Sequence, residues 1–220
     1  PVPKVVSIEQ TSNFGGGACW TLDEVKDVAV ASKRHGLAVH MDGARLLNAV
    51  TATGTSAKNF ATNCDSTWID LSKGLGCPVG AVLVGSRDFI EESWRWKHQF
   101  GGAMRQSGII AAAGVYALEN HVELLAEDHT NAKRLAQGLM QIPGIEVDPE
   151  EPETNMVFFD TAGTGIDTYE MSERLLKKGI RIGAGYGPRD LMRAVTHLDV
   201  NAASIDTALA AIRDVASNRD

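Results

Sequence analysis

Two short segments of the sequence hold residue types able to do covalent and electrostatic chemistry. One is Asp42-Gly43-Ala44-Arg45 and the other is Ser72-Lys73-Gly74-Leu75-Gly76. Each follows an apolar run, residues 37–41 and 67–71, that reads as a strand. Parallel α/β sheets place their ligands beyond the carboxyl ends of their strands, so an acid, an arginine and a lysine are expected to converge on one sheet edge.

Lys73 stands between a strand and two glycines, where a lysine gains neither helix nor packing stabilisation. A solvated loop lysine is the ordinary reading of such a position. The chemical reading is a Schiff-base lysine whose amine is made nucleophilic by partial desolvation and a nearby positive charge. The glycines beside it leave room for a bulky aromatic cofactor. Asp42 would match it, because a carboxylate at the ring nitrogen of such a cofactor keeps the nitrogen protonated and the ring an electron sink. Taken alone, Asp42 reads as the N-cap of the helix that follows. Arg45 lies three residues on, on the same side of that turn, and could meet a phenolic oxygen or a substrate carboxylate.

Other candidates point to structure. Gly15-Gly16-Gly17 lacks the spacing and the following Lys-Ser/Thr of a phosphate loop, and reads as a tight turn. The pairs His35 with His40 and His121 with His129 lack the i, i+4 zinc arrangement, so they read as structural or solvated and no metal site is expected. Cys19, Cys64 and Cys77 show no CxxC spacing and read as free thiols of a reducing compartment. Trp94, Trp96 and Met104 read as packing a core or a subunit interface.

An α/β framework must position these residues. The 220 residues suffice for one large domain or two small ones with a real core. Apolar residues make up 44% and charged residues 22%, which excludes disorder and fibre. The formal net charge of −7 comes without a basic block, so a nucleic-acid partner is disfavoured and small-molecule chemistry behind an acidic cytoplasmic surface is expected. The apolar stretch 108–118 is too short to cross a bilayer. The chain opens on Pro1 with neither initiator Met nor targeting peptide, and reads as a chain entered part-way.

Residues 4–8 read as a buried strand. Thr21 and Glu24 form a capping box for a helix with Leu22, Val25, Val28 and Ala29 on one face, stopping at Gly36. Strand, helix, strand at this spacing implies a right-handed crossover and a parallel, buried sheet. Further strands are expected at 67–71 and 79–84, and helices at 46–52, 89–98 and 107–139, the last almost unbroken, with Asp128 as a point where it could restart. Beyond it, short strands at 145–147, 156–160, 180–182 and 193–196 surround a helix at 169–178. A last helix, capped by Asn201, buries Ile205, Ala208, Leu209, Ile212 and Val215. The domain division is expected between residues 127 and 128.

Four segments in order carry a resemblance to a known family: HMDGARLLNA (40–49), IDLSKGLGCPVG (69–80), GGAMRQSG (101–108) and VTHLDV (195–200). They resemble the threonine aldolases, and EQTSNFGGG (9–17) leans toward the phenylserine aldolase branch. The resemblance covers essentially the whole chain. It implies a pyridoxal-phosphate enzyme of the aspartate-aminotransferase-like fold (fold type I), α/β in class with a mostly parallel sheet domain. Residues 1–127 would be the later portion of its large cofactor-binding domain, and 128–220 a small C-terminal α+β domain. It further implies a lyase that cleaves a β-hydroxy-α-amino acid such as threonine or phenylserine to glycine and an aldehyde, working as a homo-oligomer, a dimer or tetramer.

By the same resemblance Lys73 binds the cofactor covalently, Asp42 pairs with its ring nitrogen, and Arg45 lies near its phenolic oxygen and the substrate carboxylate. Arg193 matches the arginine that grips the α-carboxylate, a task suited to a planar fork. Arg105 matches a further arginine near the site, and reads otherwise as a helix-capping surface residue. Ser12 and His98 stand where the family commonly has His and Lys, which bears on substrate range. Relatives carry an N-terminal segment, with the loop that holds the cofactor phosphate and a histidine that stacks on the ring, which this sequence does not include. Transamination, racemisation or β-elimination by the same cofactor, and an inactive partial chain, stay open as alternatives.

Overall fold

A computed structural model describes residues 1–218. The chain packs as two units. One comprises Pro1–Thr11 and Cys19–Leu124, the other Ser12–Ala18 and the residues from Leu125 onward.

The first unit is built on a four-stranded sheet. Its strands are β1 (Val5–Glu9), β2 (Ala38–Gly43), β3 (Ser66–Asp70) and β4 (Ala81–Gly85), in spatial order β1-β2-β3-β4. Helix α1 (Leu22–Arg34) makes the crossover between β1 and β2. It opens on the expected capping box: the Glu24 N–H donates to Thr21 Oγ1 at 3.2 Å and the Thr21 N–H to Glu24 Oε2 at 2.7 Å. Two short helices, α2 (Leu46–Thr53) and α3 (Ala57–Ala61), lead to β3, and α4 (Arg87–Gln99) and α5 (Gly108–Asn120) follow β4. Ile8, Val25, Met41, Leu46, Ala49 and Phe60 form the core on one face of the sheet. Removing such side chains from water is the main driving force for their docking.

β1 pairs with β2 and β2 with β3 in parallel, as expected, but β4 runs antiparallel to β3. The helix-free connection 71–80 is too short for a parallel crossover, which takes about a dozen residues or more. The stretch read as one helix over 107–139 is two, since α5 ends at Asn120 and α6 (Leu125–Leu139) begins after the turn 121–124. Trp94, Trp96 and Met104 pack no core in this chain. They are about half exposed, and no residue of α4 is buried. The tryptophans instead pair along their own helix, with His98 and Phe100.

The second unit sets α6, α7 (Thr168–Lys177) and α8 (Ala202–Ser217) against an antiparallel sheet. That sheet has the order β5 (Glu146–Val147), β6 (Met156–Asp160), β8 (Leu191–Val195), β7 (Gly183–Tyr186). Leu139, Phe159, Met171, Leu175, Met192 and Ile212 are fully buried between them. Asn201 caps α8, accepting from the Ser204 N–H at 3.0 Å. The strand expected at 180–182 lies instead at Gly183–Tyr186, and Ile180 and Ile182 pack into the core from the connecting segment before it. Among the described residues no single helix is long and apolar enough to cross a membrane.

Candidate active site

The parallel strands of the first unit deliver three of the singled-out residues to one sheet edge. In the register of β2 and β3, Asp42 lies opposite Trp68 and Gly43 opposite Ile69, so the ends of the two strands carry Asp42 and the Lys73 loop side by side. The Asp42 carboxylate does not cap α2. Its Oδ1 accepts from the Ala44 N–H at 3.0 Å, which closes a local turn, and Arg45 occupies the N-cap position without a side-chain cap bond. The turn needs its glycine, because a Cβ at Gly43 would overlap the carbonyl oxygen of Trp68. The Arg45 N–H donates to Gln10 O at 3.1 Å, which ties the start of α2 to the end of β1.

The Lys73 loop is held by its backbone. Gly76, with φ +70, turns its N–H onto Lys73 O at 2.8 Å, and the Cys77 N–H donates to Leu71 O at 2.9 Å. Leu71, Leu75 and Cys77 are buried in a small cluster with Ala117. His121 completes the hold, with Nδ1 2.7 Å from Leu75 O. Since a carbonyl only accepts, that nitrogen carries the hydrogen.

Lys73 is 39% exposed in its side chain, and its ammonium lies 3.4 Å from Asp70 Oδ2 and 5.6 Å above the centre of the Trp68 ring. Burial works against the charge of Asp70, but bonds from the Ser72 hydroxyl and N–H and the Lys73 charge outweigh it, holding the carboxyl below its usual range. Burial, and then the charge of Asp70, raise the Cys77 thiol, which makes it a packing group rather than a nucleophile.

Arg105 stands exposed in the turn ahead of α5. The Gly15-Gly16-Gly17 run belongs to the second unit and is a turn packed on protein. A Cβ at Gly16 would meet the ring of Pro149 and one at Gly17 the Thr154 hydroxyl, which donates to Gly17 O at 2.8 Å.

Arg193 lies on β8 in the second unit, opposite Phe158. Its guanidinium sits 4.2 Å from the Tyr186 ring centre and donates from Nη1 to Asn13 Oδ1 at 2.7 Å. Its Nε is buried without a partner, so one edge of the fork still has a hydrogen bond to make. His121, read as structural or solvated, is structural; reading the sequence for motifs missed Asp70, Asn13 and Tyr186. Of these, only the i, i+3 spacing of Asp70 and Lys73 offered a local signal.

A family model described as beta-eliminating lyase matches residues 1–162. The chain belongs to this family. Among its curated relatives, low-specificity L-threonine aldolase 1 of Arabidopsis thaliana is 37% identical over 210 residues, 95% of the chain and 58% of that protein. Low specificity L-threonine aldolase of Escherichia coli strain K12 is 41% identical over 198 residues, 90% of the chain and 56% of that protein. The chain therefore spans just over half the length of these relatives. A solved threonine aldolase of Leishmania major superposes with a TM-score of 0.77 at 20% identity, covering 98% of the chain and 62% of its own, which shows a shared fold. The aspartate-aminotransferase-like architecture expected from the sequence is thus the one observed.

Proposed function

We propose that this chain is the part of a pyridoxal-phosphate-dependent aldolase that carries the cofactor lysine. The whole enzyme would cleave β-hydroxy-α-amino acids such as threonine or phenylserine to glycine and an aldehyde. The observation that carries this reading is the emergence of Lys73 and Asp42 at the same carboxyl edge of neighbouring parallel strands. The naming of the relatives as threonine aldolases supports the choice of bond. An amine, a carboxylate and the Arg45 guanidinium fit a cofactor that presents an aldehyde, a basic ring nitrogen and a phenolic oxygen.

When bound, pyridoxal phosphate supplies a sink for the electron pair left on breaking a bond at the amino-acid α-carbon. Lys73 anchors the cofactor aldehyde through its amine. Asp42 would hold a proton on the ring nitrogen through its negative charge. Arg45 donates toward the phenolic oxygen or the substrate carboxylate, and Arg105 is a further cationic candidate for the cofactor. Arg193 would grip an α-carboxylate with its guanidinium fork, whose Nε still has a hydrogen bond to make, a charge-assisted pair that would help fix which α-carbon bond is aligned for breaking. The same reading takes residues 1–127 as the later part of a cofactor domain and 128–220 as a small domain, in a cytoplasmic homo-oligomer. The free thiols and the exposed aromatic residues of α4 support the last two points.

Borohydride reduction of the cofactor-loaded protein followed by peptide mapping is expected to leave the label on Lys73. Lys73→Ala is expected to abolish both the visible absorption and aldehyde release, and retention of both would overturn the assignment. The family match itself favours one rival, β-elimination. Glycine plus aldehyde from threonine or phenylserine supports the aldolase, whereas a keto acid with ammonia supports elimination.

A further inference from the structure

We propose that Asp70 is a positioning residue for Lys73, whose carboxylate seats the Lys73 ammonium whenever that amine is not covalently engaged and so sets how readily the amine attacks an aldehyde. Three observations converge on it. Asp70 is the last residue of β3, so its Cα is fixed by the sheet, in register with Ala81 of β4. Its Oδ1 is taken by the Ser72 N–H at 2.7 Å and hydroxyl at 2.6 Å, and its Oδ2 lies 3.4 Å from Lys73 Nζ. The carboxylate side chain is only 12% exposed, which shields the pair from water more than an ordinary surface ion pair. Among the described residues the Lys73 charge acts on this carboxylate and the Cys77 thiol feels it, and Trp68 lies beneath the ammonium.

An amine held against a carboxylate is drawn away from an incoming carbonyl, so the ion pair lowers how often the amine is presented for attack. It also holds the side chain at the strand end between covalent engagements, where the amine is ready to return. The catalytic consequence rests on the reading of Lys73 as the cofactor lysine, whereas the ion pair and its effect on the amine do not.

Competitive acetylation of the cofactor-free protein at pH 8 with trace acetic anhydride, resolved lysine by lysine by mass spectrometry, tests it. In Asp70→Asn, whose amide oxygen can still accept from Ser72, Lys73 labelling is expected to rise about three-fold, the size of a modest ion-pair effect. Lys26 and Lys178, paired with Asp23 and Asp214, should be unchanged. Asp70→Ser, neutral but still an acceptor, should give the same rise and serves if the Asn variant does not fold. A rise of less than about two-fold in the folded variants, on that same ion-pair scale, overturns the proposal. No cofactor enters this measurement, so its failure leaves the aldolase reading standing, and failure of the borohydride mapping leaves the ion pair standing.

Discussion

His121 donates from Nδ1 to the carbonyl oxygen of Leu75 at 2.7 Å, joining the end of α5 to the loop that follows Lys73 across 46 residues of sequence. The bond satisfies a carbonyl on a residue that is 3% exposed. It also stops the loop from peeling away from the Leu71, Leu75 and Cys77 cluster.

His121→Ala is therefore expected to lower the unfolding free energy by about 1–2 kcal/mol, the cost of leaving a buried acceptor unpaired. For a domain of this size that is a fall in Tm of about 3–6 °C by calorimetry. Hydrogen exchange should quicken at the Gly76 and Cys77 amides, which close the same loop. His121→Gln, which keeps a donor, should recover part of both effects.

Gly43→Ala tests the turn that presents Asp42. A methyl group there overlaps the Trp68 carbonyl, a backbone atom of the neighbouring strand that cannot rotate away. Strain of that kind is expected to cost about 3 kcal/mol in chemical denaturation. Gly101→Ala is the comparison, because its Cβ meets nothing within 4 Å and only its φ of +76 is penalised. About 1 kcal/mol is expected there.

The parts of the fold that were legible in the sequence are those fixed by local chemistry. Thr21 with Glu24 produced a real capping box, Asn201 a real N-cap, and the apolar run at 156–160 a strand with those bounds. The direction of β4 was not local, although the short, helix-free connection before it held the information. No Gly or Pro marks the break between α5 and α6. It is made by tertiary contacts, with His121 turned to Leu75 and Leu125 buried. The strand expected at 180–182 forms instead at 183–186, where pairing with β8 overrides the low propensity of Gly183 and Gly185. At the site, Lys73 and Asp42 stood out because each follows a strand. Asp70 was hidden because it looked like strand filler, and His121 read as structural without any local sign that its partner would be Leu75.

Arg193→Lys is expected to leave cofactor absorption unchanged while lowering kcat/KM by about 10–100-fold, chiefly through a higher KM, because a point charge cannot reproduce a two-bond grip. Tyr186→Leu removes the ring stacked on the guanidinium and should produce a smaller loss of the same kind. Steady-state kinetics with threonine and phenylserine checks both.

The first turn of α6 holds two buried groups with opposing responses to pH. Burial raises Asp128 to about 6, with His197 opposing and Glu127 adding to the shift, whereas burial, helped by Lys133, lowers His129 to about 4. From pH 4 to 6 the folded state holds the Asp128 proton more tightly than the unfolded chain, so this residue makes stability fall as pH rises. Over the same window the folded state resists protonation of His129, so that residue makes stability rise with pH. Each effect is worth up to about 3 kcal/mol, so the two contributions nearly cancel between pH 4 and 6. Asp128→Asn should uncover a stability that climbs with pH in that window, and His129→Leu one that declines. Urea denaturation at half-unit pH intervals distinguishes the two slopes, and parallel profiles for both variants would exclude this assignment of the opposing charges.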